Sequence, residues 1–194
     1  ENGYNATIDT VNGNINNYDN GGKLIIKNVT GTLSNTGEVT INGGTLNSVN
    51  NGQSLNSTIN IAEKTTIYNL SNMYNAKVNI NANTQFGGIN LGTININGCV
   101  VTPLAKNNIA LQNSMYKNQI GVINVTDGTL KFTDNTEYIA NNGYIYVIGK
   151  SHVAVSKGNG IIDVTDANKE GGYQASSEVE ETYYNTLKRI IMNY

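Results

Sequence analysis

Two stretches, Val39-Thr40-Ile41-Asn42-Gly43-Gly44-Thr45-Leu46 and Ile123-Asn124-Val125-Thr126-Asp127-Gly128-Thr129-Leu130, carry the same pattern: apolar, polar, apolar, polar, a two-residue turn, then Thr-Leu. Shorter forms of this phrase run the length of the chain, at Ala6-Thr7-Ile8-Asp9, Leu24-Ile25-Ile26-Lys27, Ile59-Asn60-Ile61-Ala62, Val78-Asn79-Ile80-Asn81, Ile94-Asn95-Ile96-Asn97, Ile145-Tyr146-Val147-Ile148 and Ile162-Asp163-Val164-Thr165. With the second apolar residue as anchor, Ile8, Ile26, Ile41, Ile61, Ile80, Ile96, Val125, Val147 and Val164 follow one another at intervals of 18, 15, 20, 19, 16, 29, 22 and 17 residues, a mean of 19.5. A period near 20 made of short strands and turns is a solenoid interval.

Alternation at period 2 puts Ile, Val and Leu on one face of each strand and Asn, Thr and Lys on the other, so each strand has a single buried side. A coil of about 20 residues has room for three such strands and three corners. If coils stack in parallel, every strand pairs with its equivalent one coil above and below, and the backbone hydrogen bonds close without hairpins. The expected architecture is an all-β parallel β-helix of eight or nine coils. One Pro in 194 residues leaves the backbone donors intact, and Gly43, Gly44, Gly98, Gly128 and Gly149 stand where corners call for positive φ. An antiparallel sandwich also shows strands every 8 to 12 residues, but has no reason to reuse one phrase at coil spacing.

Composition narrows the function. Only 13% of residues are charged, about half the usual share, so solubility rests on 36 Asn and 20 Thr. Twelve Lys plus Arg against 14 Asp plus Glu provide no basic face for phosphates, which argues against nucleic acid as partner. Disorder is opposed by 22 Ile, 14 Val and 10 Leu spread throughout, enough apolar surface to offset chain entropy. No stretch approaches the roughly 20 apolar residues of a membrane span, so membrane insertion by this segment is not expected. The chain opens at Glu1 without a signal-like segment and reads as a processed or excised piece.

Two irregularities interrupt the pattern. The long interval from Ile96 to Val125 holds about ten extra residues, with Pro103 and the stretch Asn107 to Gln119 read as a loop or short helix thrown out from a corner, where solenoids often carry recognition. After residue 172 the period changes. Ser176-Ser177-Glu178-Val179-Glu180-Glu181 resembles a helix start, Lys188-Arg189 falls in a last turn, and Val179, Tyr183, Leu187 and Ile190 make one apolar stripe. These features divide the chain into a solenoid over 1–172 and a capping or linker α-helix within 173–194, from Ser177 to Met192.

Chemistry is sparse. The carboxylates closest to strand spacing in the coils are Asp163 and Asp166, whose separation of three places them on opposite strand faces. His152 is the lone histidine and Arg189 the lone arginine, and no spacing of Cys, His or Asp resembles a metal site, so no metal and no cofactor is expected. Cys99 reads as a small core hydrophobe, and Asp127-Gly128 and Asp134-Asn135 as turns. Five Asn-x-Ser/Thr sequons, at Asn5, Asn28, Asn56, Asn69 and Asn124, are about what this composition yields by chance. Asn42, Asn81 and Asn97, at equivalent coil positions, are expected to stack as amide ladders along the axis. Tyr138, Tyr144 and Tyr146 form the candidate binding patch, because tyrosine is stiff and amphipathic.

The phrases Gly37-Glu38-Val39-Thr40-Ile41-Asn42-Gly43-Gly44-Thr45-Leu46 and Gly121-Val122-Ile123-Asn124-Val125-Thr126-Asp127-Gly128-Thr129-Leu130 resemble the coil repeats of bacterial type V autotransporter passenger domains. The likeness covers most of 1–172 and is compositional and repetitive. It implies a right-handed coil, display on the outer surface of a diderm bacterium, and a non-enzymatic adhesin or fibre segment. Its partner would be a protein or glycan receptor on another cell, with lateral self-association in addition. The rival expectation is a polysaccharide-degrading β-helix of the tailspike or pectinase kind, working through carboxylates such as Asp163.

Overall fold

The computed structural model describes residues 5–18, 22–52, 56–104, 109–131, 138–153 and 156–163. These form one parallel β-solenoid, in which each strand bonds to its equivalent in the coils before and after it. About seven complete turns are described, with strands of an eighth in Tyr144–Ile148, His152–Val153 and Ser156–Lys157 and the first-face strand Ile161–Asp163 of a ninth. The C-terminal helix, Asp166 and the ninth anchor Val164 lie outside the described residues.

Three faces make up each coil. The anchors build the first: Ile8, Ile26, Ile41, Ile61, Ile80, Ile96, Val125 and Val147 pair one above another in a single column. Two residues earlier, Ala6, Leu24, Val39, Ile59, Val78, Ile94, Ile123, Ile145 and Ile162 form a second column. The second face contributes Val29, Leu46, Ile67, Phe86 and Pro103, and the third Leu33, Val49, Leu70, Gly88, Leu111 and Ile139. Apart from Ala6 and Ile8, which are partly buried and pack against it, and the unlike members Gly88 and Pro103, these side chains form the continuous buried core. Like residues recur at each level because parallel in-register stacking repeats the same inward geometry every coil, and each fully buried aliphatic contributes about 1.5–3 kcal/mol.

The turn after the first face corrects one expectation. Gly98 (φ 61°), Asp127 (φ 49°) and Gly149 (φ 66°) follow paired strand ends and share the left-handed conformation, so in the Asp127-Gly128 turn the aspartate takes the strained position, not Gly128. Asp tolerates it through local hydrogen bonding, and here its Oδ1 accepts from the Lys150 N–H at 2.9 Å.

The stretch Asn107 to Gln119 is also not one excluded loop or helix. Ile109–Asn113 is a coil strand of the third face, with Leu111 in the core. Among the described residues of this stretch, the short antiparallel pair Met115–Tyr116 and Gln119–Ile120 leaves the coil, closed at its base by Gly121 N–H donating to the Ser114 carbonyl at 2.7 Å. Residues 105–108, between Leu104 and this strand, lie outside the described set.

Candidate functional site

The corner between the third and first faces is built around a buried column of asparagines. Asn17, Asn35, Asn51, Asn72, Asn90, Asn113 and Asn141 are 0 or 1% exposed, and the Nδ2 of each of the first six donates to the Oδ1 of the next rung at 2.7–2.9 Å. The second hydrogen of each amide reaches the carbonyl opening a following first-face strand: Glu38, Thr58, Lys77, Thr93, Val122, Tyr144 and Ile161 in turn, at 3.0–3.4 Å. In the Asn-x-Gly turns the Gly37, Gly92 and Gly143 N–H groups donate back to Oδ1 of Asn35, Asn90 and Asn141. An interior asparagine is costly unless its donors and acceptor are met, and this geometry meets them.

Small residues make room for the ladder. Gly37, Ser57, Ala76, Gly92, Gly121 and Gly143 follow the rungs at the corner, and the carbonyl of each accepts from the strand start one coil later. A Cβ at Gly143 would fall on the Gly121 carbonyl and within 2.9 Å of the Asn113 Nδ2. Ser57, fully buried, is the exception to polar satisfaction among the described residues, with its hydroxyl unpartnered.

The amide ladder expected at Asn42, Asn81 and Asn97 is not this column. Asn97 does donate to Asn81 at 2.9 Å, but Asn42 stands opposite Glu63 because the register shifts after Ile41, so the row of three is broken. A longer outward ladder runs through Asn124, Asn95, Asn79 and Asn60, each donating toward the N-terminal neighbour at 2.8 Å, opposite in direction to the buried column. The missed signal was an apolar-x-Asn triplet in nearly every coil: Ile15-Asn16-Asn17, Leu33-Ser34-Asn35, Val49-Asn50-Asn51, Leu70-Ser71-Asn72, Leu111-Gln112-Asn113 and Ile139-Ala140-Asn141.

The outward asparagine column continues into Tyr146 and then Asp163, beside Tyr144. The rings of Tyr144 and Tyr146 stack with centroids 6.1 Å apart and planes 21° from parallel, both half-buried. Tyr138 sits on the third face, across the Asn141 corner from that pair. Other exposed apolar side chains gather at the same corner: Tyr18, Tyr74, and Met115 and Tyr116 on the small hairpin, where the Lys117 ammonium lies 5.4 Å from the Tyr116 ring centroid.

Titratable groups are scattered. His152, partly exposed, pairs with Thr129, while Cys99 is buried, donates weakly to the Ile80 carbonyl and has its thiol pKa raised by desolvation. Among the described residues no three His, Cys, Asp or Glu side chains group in a metal-binding arrangement.

On the second face a groove of about 260 Å³ is lined by Lys64, Thr65, Asn83, Thr84, Gln85, Val100, Thr102 and Lys131. No family model, curated protein or solved structure matches the chain.

Proposed function

We propose that this chain is a rigid, non-catalytic fibre segment of a surface-displayed bacterial adhesin, holding its side walls out to a protein or glycan receptor on another cell. The observation that carries the reading is the unbroken buried amide column. It ties seven successive coils through one line of hydrogen bonds and stiffens a rod rising about 4.8 Å per coil. The likeness of the repeat phrases to autotransporter passengers supports surface display, and the stacked Tyr144–Tyr146 pair at the end of a flat amide row supplies a stiff, amphipathic contact area.

Beads coated with the 194-residue chain, applied to bacterial and host cell layers, test this reading. Attachment above that of bare beads, lowered severalfold by Tyr144→Ala with Tyr146→Ala, is expected. Attachment no better than bare beads contradicts the reading. So does release of reducing or unsaturated ends from glycans in an Asp163-dependent way.

A further inference from the structure

Four exposed apolar side chains flank one short length of the corner between the third and first faces. The rungs Asn72, Asn90 and Asn113 pair on successive coils, and the Leu91 and Ser114 N–H groups donate to the Asn72 and Asn90 carbonyls, so the corners that follow are stacked one coil apart. The first of these corners presents Tyr74 and the third presents Met115 and Tyr116 on the hairpin, while Ile89 points outward beside the second, where Leu91 is buried between the two walls. Tyr74, Ile89, Met115 and Tyr116 are 51, 39, 53 and 60% exposed, which leaves on the order of 400 Å² of largely apolar surface open. A patch of that size is often a contact site. It is only half of the roughly 800 Å² that each partner of a stable complex buries, so a second copy of the chain is a poor fit.

The sequence carries a counterpart of matching size. Val179, Tyr183, Leu187 and Ile190, outside the described residues, are spaced as one face of a helix from Ser177 to Met192. Tyr74 and Met115 belong to corners two coil steps apart, about 10 Å along the axis, and residues seven apart on a helix, such as Tyr183 and Ile190, are separated by about 10.5 Å. A helix laid along the axis therefore sets Tyr183 against Met115 and Tyr116, Leu187 over Ile89, and Ile190 against Tyr74. Charge fits the same direction. Residues 64–126, from which this whole surface is drawn, contain four Lys and no Asp or Glu, and the Lys117 ammonium stands at the hairpin over the Tyr116 ring. Glu178, Glu180 and Glu181 lead the helix and come to that end.

We propose that the segment 177–192 turns back along the rod and packs its apolar stripe on this corner of its own chain. The connection is long enough. Asp163 lies in the strand two coil steps beyond the one that follows the hairpin, about 10 Å along the axis, and residues 164–176 extend to at most about 43 Å. Linkage within one chain also raises the effective concentration of the segment, so a contact too small to hold two chains together suffices. The proposal goes beyond the fibre reading and does not depend on it, since a spacer with no adhesive role would carry the same corner and the same segment.

The chain has no Trp, so Leu187→Trp in the full 194-residue protein places a single fluorescent reporter on the stripe. Its emission is expected to be blue-shifted, and acrylamide to quench it severalfold less than in the same protein unfolded in urea. Adding Tyr74→Ser with Met115→Ser, both exposed positions, is expected to return quenching to the unfolded level, and so is adding Val179→Ser with Ile190→Ser on the stripe. Circular dichroism confirms that each variant keeps the strand signal of the solenoid. Full quenching of the Leu187→Trp protein in its folded state overturns the proposal. So does protection that survives Tyr74→Ser with Met115→Ser, which places the segment elsewhere, or protection that is lost on dilution, which assigns the contact to a second copy.

Discussion

Two asparagine columns run along this solenoid with nearly the same link, about 2.8 Å from amide to amide, yet they do different work. The buried column is enclosed, and its amides also hold backbone carbonyls of the next coils. The outward column of Asn60, Asn79, Asn95 and Asn124 is partly open to water, which can replace any bond it loses. The comparison shows that the free energy of an amide ladder resides less in the link itself than in what is left unpaired when it breaks.

The sharpest way to separate the columns is to charge a rung. In Asn72→Asp a carboxylate would face the acceptors Asn90 Oδ1, Ala76 O and Thr93 O, and the buried site raises the folded-state pKa of the new acid. The sign follows. A raised folded pKa means the deficit is smallest below the unfolded value of about 3.9 and grows as pH rises through and above it. Urea melts at pH 4 and pH 7 should show the variant far below wild type at neutral pH and partly recovered in acid, and a pH-independent deficit would break the comparison.

Asn72→Ala should cost about 3–5 kcal/mol at any pH, because it strands the Asn51 donor and the acceptors of Asn90 and Thr93. Gly143→Ala, which forces a methyl against the Gly121 carbonyl, should cost on the order of 2 kcal/mol, read as a shift in denaturation midpoint. On the outward column, Asn79→Ala should cost only about 0.5–1 kcal/mol; a loss as large as that at Asn72 would mean that solvent does not replace the amide. The smallest effect belongs to Ser57→Ala, where removing an unpartnered buried hydroxyl should leave stability unchanged or raise it by up to about 1 kcal/mol.

The repeat period was legible because the anchors are β-branched, regularly alternating and few enough to align, and eight of them stack in one column. The buried ladder was hidden by abundance. With 36 Asn, no single one stands out, and the rungs are separated by 18, 16, 21, 18, 23 and 28 residues as corner insertions vary. Asn42 looked equivalent to Asn81 by local phrase, but an extra residue at Ala62 moved the register. Leu111 and Asn113 fall within the apparent excursion in the sequence because the neighbouring extra residues blur the period, although Leu111-Gln112-Asn113 carries the rung triplet. The groove left no sequence signal, since Lys64 and Lys131 lie 67 residues apart and come to the same face only through the stacking of coils.

Whether one buried amide column joins the parallel coils can be read from side-chain amide NMR of the labelled protein. Nuclear Overhauser contacts should link Asn17, Asn35, Asn51, Asn72, Asn90, Asn113 and Asn141 in that order, with the interior rungs exchanging far more slowly than Asn79 or Asn95. Rapid exchange at Asn72 and Asn90, or contacts pairing these asparagines in any other order, would contradict it.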